Sequence, residues 1–378
     1  MAGGTGGHVF PALSIAEDLI SRGVQVEWLG TRNGLEARVI AATEIPMHFI
    51  SIAGLRGTSL LRKLLAPLVI FIAVLQSIFK VIQIKPGCVL GMGGFVTGPG
   101  GLAAWLLRKK LVIHEQNAIA GLTNQLLFPM ATTVMEAFPG AFERKKAMTG
   151  NRFLKAFIRS TNIIVVGNPV RKEIADLGNH LEEKIGEREQ ENESGRNLHL
   201  LIIGGSLGAV AINKVIPEML ALLPEGLRPD VLHQCGDKNL SDTEAFYQQH
   251  HIHTGAAIRV IPFIENMAEA YAWSDIIIAR AGAMTISEIT AVGLASILVP
   301  YPYAVDDHQT ENASFLQRAG GAEIIQQDEL NAQRLLAEVG KFSADSKALH
   351  LAWKNARNVG KTDASEKAAL LCLEACHA

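Results

Sequence analysis

The chain has 378 residues, of which 48% are hydrophobic and 19% are charged. A single hydrophobic core stops growing near about 250–300 residues, so this length predicts two domains. The formal net charge of −2 excludes the overall positive field that is typical of nucleic-acid-binding proteins. The four cysteines show no CxxC spacing, so we expect reduced thiols rather than a disulfide framework or a metal site.

The amino-terminal residues lack the basic and apolar regions of a signal peptide, so no secretory leader is expected there. The most membrane-like stretch is 64–84, and it contains Pro67, Gln76 and Lys80. A transmembrane span needs about 20 mostly uncharged apolar residues, and this stretch is a borderline match. We therefore expect an interfacial or half-buried helix here rather than a span.

Short β-branched runs alternate with longer helical stretches along the chain. Near-continuous apolar strands separated by helices are typical of parallel sheets that are covered on both faces. In chain order, the predicted strands are 24–29, 88–90, 111–114, 132–135, 163–166, 198–203, 231–234, 259–261, 275–278 and 296–299.

The alternation occurs twice, and a glycine-rich turn opens each half, at 3–8 and at 204–209. This pattern predicts two doubly wound α/β domains, 1–166 and 167–345. The remaining residues, 346–378, are expected to form a helical segment that packs back on the first domain.

Two segments depart from this regular pattern. Residues 178–197 are rich in Glu, Lys, Arg and Asn and poor in apolar residues, which predicts a mobile surface excursion. Only Met1 and Ala2 precede the first glycine turn, although a turn of this kind normally follows a buried strand. We therefore expect the first central strand to be missing from this N-terminus.

The first turn, Gly3-Gly4-Thr5-Gly6-Gly7-His8, has the features of an anion site. Glycines let the backbone approach a phosphate closely, and the helix that follows offers unpaired N–H groups and the positive end of its dipole. The spacing fits neither GxGxxG nor the P-loop, which disfavours a dinucleotide or ATP. His8 is a candidate general base because an imidazole titrates near neutral pH. The alternative is a plain tight turn with a structural histidine.

Two further groups in the first half follow predicted strands. Residues 91–101 contain six glycines and predict an anion cradle or a flexible lid. His114-Glu115-Gln116-Asn117 lies at a strand end, where ligands of open parallel sheets collect. The alternative for Glu115 and Asn117 is that they cap the next helix.

The second half repeats the phosphate pattern at 204–209, where Ser206 adds a hydroxyl. Residues 280–288 follow a predicted strand and place Glu288 on the next helix, where a carboxylate can accept both hydroxyls of a ribose. The polar stretch 302–312 is suited to hydrogen bonding with a sugar.

Seven stretches in this order resemble glycosyltransferase family 28, the enzymes that add N-acetylglucosamine to the lipid-linked precursor of peptidoglycan. They are spread over nearly the whole chain and read GGTGGHVFPAL, LGMGGFVTGPGGLAAW, HEQNAIAGLTN, VGNPVR, IIGGSLGA, SDIIIARAGAMTISEI and DDHQTENA. The pattern departs from the family at His308, where a second glutamine is usual, and at 68–79, which is more aliphatic.

The resemblance implies a glycosyltransferase B fold, in which two Rossmann-like doubly wound domains face a cleft. It implies His8 and Glu115 as catalytic candidates, and Gly93, Gly94 and Thr97 as contacts of the acceptor. The donor contacts that it implies are Thr5, Gly6, Gly7, Asn117, Arg171, Ser206, Ile264, Ala283, Met284, Thr285, Ile286, Ser287, Glu288 and Gln309.

The implied reaction is the transfer of N-acetylglucosamine from UDP-GlcNAc to undecaprenyl-pyrophosphoryl-N-acetylmuramyl-pentapeptide (lipid I), with inversion at the anomeric carbon. No Asp-x-Asp metal clamp is evident, so neither a metal nor a cofactor is expected, and glycine-loop amides would stabilise the leaving diphosphate. The polyprenyl acceptor places the enzyme at the cytoplasmic face of the inner membrane. Apolar residues of 60–79 and basic residues at 62–63, 108–110 and 144–146 are expected to meet its anionic surface.

Three other functions fit parts of the pattern. A nicotinamide-dependent dehydrogenase also has tandem doubly wound domains, but neither glycine turn is GxGxxG. A UDP-sugar epimerase would need no lipid acceptor. A catalytically inactive UDP-sugar-binding membrane protein would keep the nucleotide site alone.

Overall fold

The computed structural model describes residues 1–52, 60–143, 162–193, 196–205, 208–343 and 345–377. The chain forms two units: unit 1 comprises Met1–Val170 and Asp363–Ala378, and unit 2 comprises Arg171–Thr362. The C-terminal segment expected at 346–378 is therefore divided between the units, because only its residues from Asp363 onward belong to unit 1.

Unit 1 is an α/β unit with parallel strands. Its described strands are β1 (Trp28–Gly30), β2 (Met47–Phe49), β3 (Cys88–Gly91), β4 (Lys110–Glu115), β5 (Thr133–Glu136) and β6 (Asn162–Val165). Its described helices include α1 (Gly6–Ser21), α2 (Leu35–Ile40), α3 (Leu60–Ile84), α4 (Gly94–Leu106), α5 (Leu122–Leu127) and the C-terminal α15 (Ala364–His377), with a 3-10 turn at Phe128–Met130. The sheet order is β3-β4-β5-β6, and β1 pairs with β2 separately.

The central strand β4 shows why this sheet is covered on both faces. Side chains of a strand alternate between faces, and Val112 packs with α1 and α15 while Leu111 and Ile113 pack with α4 and α5. All three are fully buried. The backbone of Met1 lies beside β3: its amino group donates to Leu90 O at 2.8 Å, and its carbonyl accepts from Met92 N at 3.0 Å.

Unit 2 contains one six-stranded parallel sheet. Its strands are β7 (His199–Ile203), β8 (Asp230–Gln234), β9 (Ile258–Ile261), β10 (Ile276–Ala279), β11 (Ala295–Leu298) and β12 (Ala322–Ile324). Its helices include α6 (Lys172–Ala175), α7 (Leu181–Glu193), α8 (Val210–Ala221), α9 (Leu240–Gln249), α10 (Met267–Trp273), α11 (Ala283–Val292), α12 (His308–Ala319), α13 (Ala332–Ser343) and α14 (Ser346–Val359). Short 3-10 turns lie at Asp176–His180, Glu225–Leu227, Asp237–Asn239 and Val305–Asp307.

The strand order of unit 2 is β9-β8-β7-β10-β11-β12. Numbered from β7, this is the order 3-2-1-4-5-6 of a doubly wound nucleotide-binding sheet, in which the direction of winding reverses between the first and fourth strands. Here that reversal lies between β7 and β10, which are hydrogen-bonded in parallel over four residue pairs. The doubly wound architecture expected for this half of the chain is confirmed.

The prediction of a mobile excursion at 178–197 is wrong for its described part. Most of the segment is helix α7, whose Leu181 and Ile185 belong to the core of unit 2. One turn further along, Arg188 is 5% exposed and its Nε lies 3.4 Å from the Asp275 carboxylate. The polar composition of this segment therefore did not indicate the helix, which is fixed by two apolar contacts and a buried ion pair.

We predict that Asp275→Ala lowers the free energy of unfolding by about 3–5 kcal/mol, because removing the carboxylate leaves the buried guanidinium group of Arg188 uncompensated. The Asp275 side chain is 1% exposed, and it also accepts from Arg196 Nη1 at 3.2 Å and from His199 N at 2.8 Å. Urea denaturation followed by circular dichroism measures the loss.

Glu182→Ala is the matched control for Asp275→Ala, because Glu182 lies on α7 in an exposed pair with Lys354. Exposed pairs contribute at most about 1 kcal/mol. Equal losses in the two variants would show that the buried carboxylate does not fix α7.

Candidate functional site

The glycine turn of unit 2 follows β7 at the point where the winding of the sheet reverses. At Gly208, φ is +72°, and an added β-carbon would lie 2.1 Å from Cys235 O, so only glycine fits. Gly205 also has positive φ, and its carbonyl accepts from the Gln234 side chain at 3.2 Å. Ser206, the predicted phosphate contact, lies outside the described residues. Ligands of doubly wound sheets bind at this reversal.

Helix α11 begins directly after β10, the neighbour of β7. The predicted run Ala283–Ser287 forms its first turn, with Gly282 at the N-cap. Ala283 and Ile286 are buried, whereas Met284, Thr285 and Ser287 are half-buried. The first turn of a helix carries unpaired N–H groups and the positive end of the dipole, which together suit a phosphate or a polar ligand group.

Glu288 lies one turn further along α11, in a set of three polar side chains. The Tyr271 hydroxyl donates to its Oε2 at 2.9 Å, and Arg171 Nη2 lies 3.6 Å from its Oε1. Burial raises the pKa of Glu288, while Tyr271 and Arg171 act to lower it. The carboxylate is thereby held in a fixed direction beside the first turn of α11.

The other predicted donor contacts of unit 2 follow β9 and β11. Ile264 is 7% exposed, so its backbone rather than its side chain is available to a ligand. Gln309 lies in the first turn of α12, where its Oε1 accepts from Tyr301 N at 2.9 Å. Asp306 and Asp307, just before this helix, have φ of 52° and 54°. Consecutive non-glycine residues in this region are strained, and such strain is concentrated at functional sites.

In unit 1, the predicted turn leads directly into α1, and His8 lies in the first turn of that helix. Thr5 is its exposed N-cap, and Gly6 and Gly7 are the first helical residues. The Nδ1 atom of His8 lies 2.9 Å from Gln116 Oε1. The structure thus brings the first glycine turn and the residues after β4 together.

The second glycine cluster of unit 1 packs against His8. A β-carbon at Gly93 would lie 3.2 Å from His8 Cε1, and one at Gly94 would lie 2.2 Å from Gly3 O. Both residues have positive φ. Thr97 is fully buried, and its hydroxyl donates to Gly93 O at 2.6 Å. Thr97 therefore supports the glycine turn, and its contact with an acceptor stays a prediction.

Glu115 is saturated with hydrogen bonds inside its own loop. Its Oε1 accepts from the backbone and side chain of Asn117, at 3.0 and 3.3 Å. Its Oε2 accepts from Gly121 N and Asn124 Nδ2, both at 2.9 Å. Gly121 is the N-cap of α5, so these contacts correspond to the capping alternative and leave neither oxygen unoccupied.

From the sequence, no individual role was assigned to three residues that shape these sites: Gln116 and His114 beside His8, and Tyr271 beside Glu288. A signal existed for the first two, since both belong to the polar tetrapeptide after β4. No such signal existed for Tyr271, because in sequence it looks like an apolar residue of a short helix.

Within the parts of the chain that the structure describes, no group of three or more His, Cys, Asp or Glu side chains is arranged to hold a metal ion. Cys88 and Cys235 are free thiols, as are Cys372 and Cys376. The basic residues at 144–146 and the side chains of 62–63 fall outside the described part of the chain.

Comparison with known families covers both units. Residues 1–136 match the glycosyltransferase family 28 N-terminal domain. Residues 199–368 match the glycosyltransferase family 28 C-terminal domain.

Curated relatives match over the full length. A protein of Marinobacter nauticus is 47% identical over 99% of this chain and 96% of its own length, and one of Cellvibrio japonicus is 46% identical over 100% and 98%. Both are named UDP-N-acetylglucosamine--N-acetylmuramyl-(pentapeptide) pyrophosphoryl-undecaprenol N-acetylglucosamine transferase.

Solved structures agree with this assignment. The crystal structure of Acinetobacter baumannii MurG superposes with a TM-score of 0.81 at 38% identity, covering 99% of this chain and 98% of that one. A Neisseria meningitidis UDP-GlcNAc 2-epimerase bound to UDP-GlcNAc has a TM-score of 0.64 at 16% identity over 97% of each chain, which shows a shared fold alone. With both family domains present and full-length relatives well above 30% identity, the chain belongs to glycosyltransferase family 28.

Proposed function

We propose that this chain transfers N-acetylglucosamine from UDP-GlcNAc to lipid I, with inversion at the anomeric carbon, and so forms lipid II for peptidoglycan synthesis. The names of the full-length relatives support this donor and this acceptor. The observation that carries the proposal is in unit 2, where the glycine turn after β7 and the first turn of α11 adjoin the reversal of a doubly wound sheet.

Each group at this reversal has a role in our proposal for the donor. The amides of Gly204, Gly205 and Gly208 and of the first turn of α11 would hold the diphosphate, since they are fixed dipoles that need no counter-ion. Glu288, held by Tyr271 and Arg171, would accept the ribose hydroxyls. The backbone of Ile264 would read the uracil, and Gln309 would meet the acetylated sugar.

On the acceptor side, His8 is the group that we propose as general base. Transfer forms one bond, between the acceptor hydroxyl oxygen and the anomeric carbon, and breaks the bond from that carbon to the UDP oxygen. The hydroxyl proton goes to His8, and the electron pair of the broken bond leaves with UDP. Glu115 would not act as the base because both its oxygens already accept two hydrogen bonds. Thr5, Gly6, Gly7 and Asn117 remain predicted donor contacts.

Incubation with labelled UDP-GlcNAc, with and without lipid I, tests the proposed function. We expect label in the lipid fraction only when lipid I is present. Label that returns as an epimerised nucleotide would indicate a UDP-sugar epimerase instead, and binding without turnover would indicate a UDP-sugar-binding protein.

We predict that His8→Ala lowers turnover by about 100-fold or more, the usual contribution of a positioned acid or base, while UDP-GlcNAc affinity stays within about twofold. Transfer of label to lipid I measures turnover, and isothermal titration calorimetry measures affinity. His180→Ala is the matched control, because His180 is an exposed histidine that pairs only with Glu183 among the contacts described. Wild-type turnover in His8→Ala would exclude His8 as the base.

We also propose that α3 attaches unit 1 to the membrane surface. Along the described part of α3, exposed apolar side chains recur every three or four residues, which places them on one face. They are Leu64, Leu68, Phe71, Leu75, Phe79 and Ile82, each at least 50% exposed. We call this face the α3 stripe.

Two other helices of unit 1 also expose apolar side chains. Trp105 and Leu106 at the end of α4 are about half exposed, and Leu122 and Leu126 of α5 are more than 60% exposed. Within the described residues, Leu64–Ile84 is the one helix long and apolar enough to cross a membrane, with a mean hydropathy of 2.3, yet only 28% of it is buried in the protein. An amphipathic helix that lies in the interface, with basic residues beside it, accounts for this combination.

A cavity of about 540 Å³ beside α3 is the place that we propose for the polar head of the acceptor. It is lined by 31–34 and 49–52, by Gln76 of α3 and by Phe95 of α4. Gln76 accepts from Ser51 N at 2.7 Å, so the helix of the stripe also forms a wall of the cavity. An acceptor whose tail stays in the bilayer would present its head here.

We predict that Leu75→Glu with Phe79→Glu weakens binding to phosphatidylglycerol vesicles at least tenfold, because a burial of about 1.5–3 kcal/mol per apolar side chain is lost. Vesicle co-sedimentation measures the change. Leu227→Glu is the control, since Leu227 of unit 2 is 72% exposed and lies outside the stripe. Equal binding by the stripe variant and the control would contradict attachment through α3.

A further inference from the structure

A chain of hydrogen bonds runs from His8 into the interior of unit 1. His8 Nδ1 lies 2.9 Å from Gln116 Oε1, and Gln116 Nε2 lies 3.1 Å from His114 Nδ1. At the far end, His114 Nε2 lies 2.9 Å from Gly167 O. His114 and Gln116 are both at most 1% exposed, so solvent does not compete for the contacts of His114, while His8 is half-buried.

The donor and the acceptor of each hydrogen bond can be assigned by starting at the Gly167 end of the chain of bonds. A carbonyl oxygen can only accept, so His114 Nε2 must carry a proton and donate to Gly167 O. Burial lowers the pKa of His114 to about 4, so this ring is neutral near pH 7 and its Nδ1 has a lone pair. The partner of that lone pair must be a donor, and within Gln116 only the NH₂ group donates.

A second contact fixes the same amide orientation. Gln116 Nε2 also lies 3.2 Å from His114 O, which again can only accept. The backbone around Gln116 is held as well, because Asn168 Nδ2 donates to Gln116 O at 2.9 Å. The Gln116 carbonyl oxygen therefore faces His8, and it accepts a hydrogen bond from Nδ1–H of that ring.

We propose that Gln116 is a positioning residue that keeps neutral His8 in the Nδ1–H tautomer, with the Nε2 lone pair free to take a proton. The inference deepens the proposed role of His8 as general base and rests on that role for its catalytic meaning. In serine proteases a buried carboxylate holds the catalytic histidine in the correct tautomer, and loss of that tautomer greatly lowers turnover. Here a neutral amide, itself oriented by a second histidine, replaces the carboxylate.

The other ionisable groups near the start of α1 are engaged elsewhere. Glu36 of α2 accepts from Thr31 N at 3.0 Å and from Gly4 N at 3.3 Å. Glu115 accepts four hydrogen bonds within its own loop. His114 is neutral near pH 7 and contacts Gln116. The described group in direct contact with His8 Nδ1 is Gln116.

The tautomer can be observed without any substrate. Two-bond ¹H–¹⁵N correlation spectra of histidine-labelled protein, recorded where His8 is neutral, distinguish the protonated from the unprotonated ring nitrogen. The His8→Ala spectrum identifies the His8 signals. We expect Nδ1–H in the wild type and a shift toward Nε2–H in Gln116→Met, which removes both amide contacts at similar side-chain length.

Kinetics then separate a positioning role from a structural one. We expect Gln116→Met to lower kcat about 10- to 100-fold with KM for UDP-GlcNAc within about twofold. Gln125→Met is the matched control, because Gln125 lies on α5 and donates to Ala120 O, outside this chain of bonds. Gln116→Glu keeps an acceptor opposite His8 and should move the acidic limb of kcat/KM to higher pH, because a carboxylate favours the imidazolium.

The possible results distinguish a failure of this inference from a failure of the proposed function. An Nε2–H tautomer in the wild type, or an unchanged tautomer in Gln116→Met, would overturn the inference even if His8 proves to be the base. Wild-type turnover in His8→Ala would instead refute the base and leave the tautomer result standing. Should Gln116→Met fail to fold, an unmoved acidic limb in Gln116→Glu would overturn the inference.

Discussion

Gly94 and Gly208 each bring two stretches of backbone so close together that a β-carbon would lie 2.2 Å from Gly3 O in one case and 2.1 Å from Cys235 O in the other. This steric constraint is the feature on which both sites depend. At Gly208 it forms a tight turn whose amides can approach a diphosphate at the reversal of the sheet. At Gly94 it presses the loop after β3 against the first glycine turn, and His8 is consequently held between Gly93 and Gln116.

Much of the fold could be predicted because its strands are buried on both faces. β4 and β7 contain the continuous apolar runs 111–113 and 200–203, and such runs have few alternatives to a central parallel strand. β2 and β12 escaped prediction because they are three-residue strands at sheet edges, with His48 and Glu323 at their centres. Helix α7 was not predicted because the ion pair that fixes it joins Arg188 and Asp275, which lie 87 positions apart. Local composition therefore carries no sign of this contact.

Part of the candidate site could likewise be predicted from the sequence, and part could not. Glycine turns and the residues at strand ends can be read locally, so a glycine turn after β7 and the place of Glu288 on the helix after β10 could be predicted from the sequence. The bonding state of a side chain cannot be read locally. Glu115 has the chemistry of a base, but its oxygens are saturated by donors of the loop and the helix that follow it. Gln116 has no acid–base chemistry, yet it contacts His114 and also His8, which lies 108 positions away in sequence.

In the function that we propose, unit 1 couples membrane attachment to acceptor binding through a single helix. On our proposal, the outer face of α3 meets the bilayer with Leu75 and Phe79, while Gln76, between them in sequence, turns to the cavity and bonds Ser51. Neighbouring residues of a helix point about 100° apart, so one turn can serve both surfaces. A lipid-linked acceptor could then be bound without extracting its tail from the bilayer, which would avoid a cost of about 0.8 kcal/mol for each CH₂ group exposed to water. This saving gives a physical reason for an apolar stripe that the protein itself leaves uncovered.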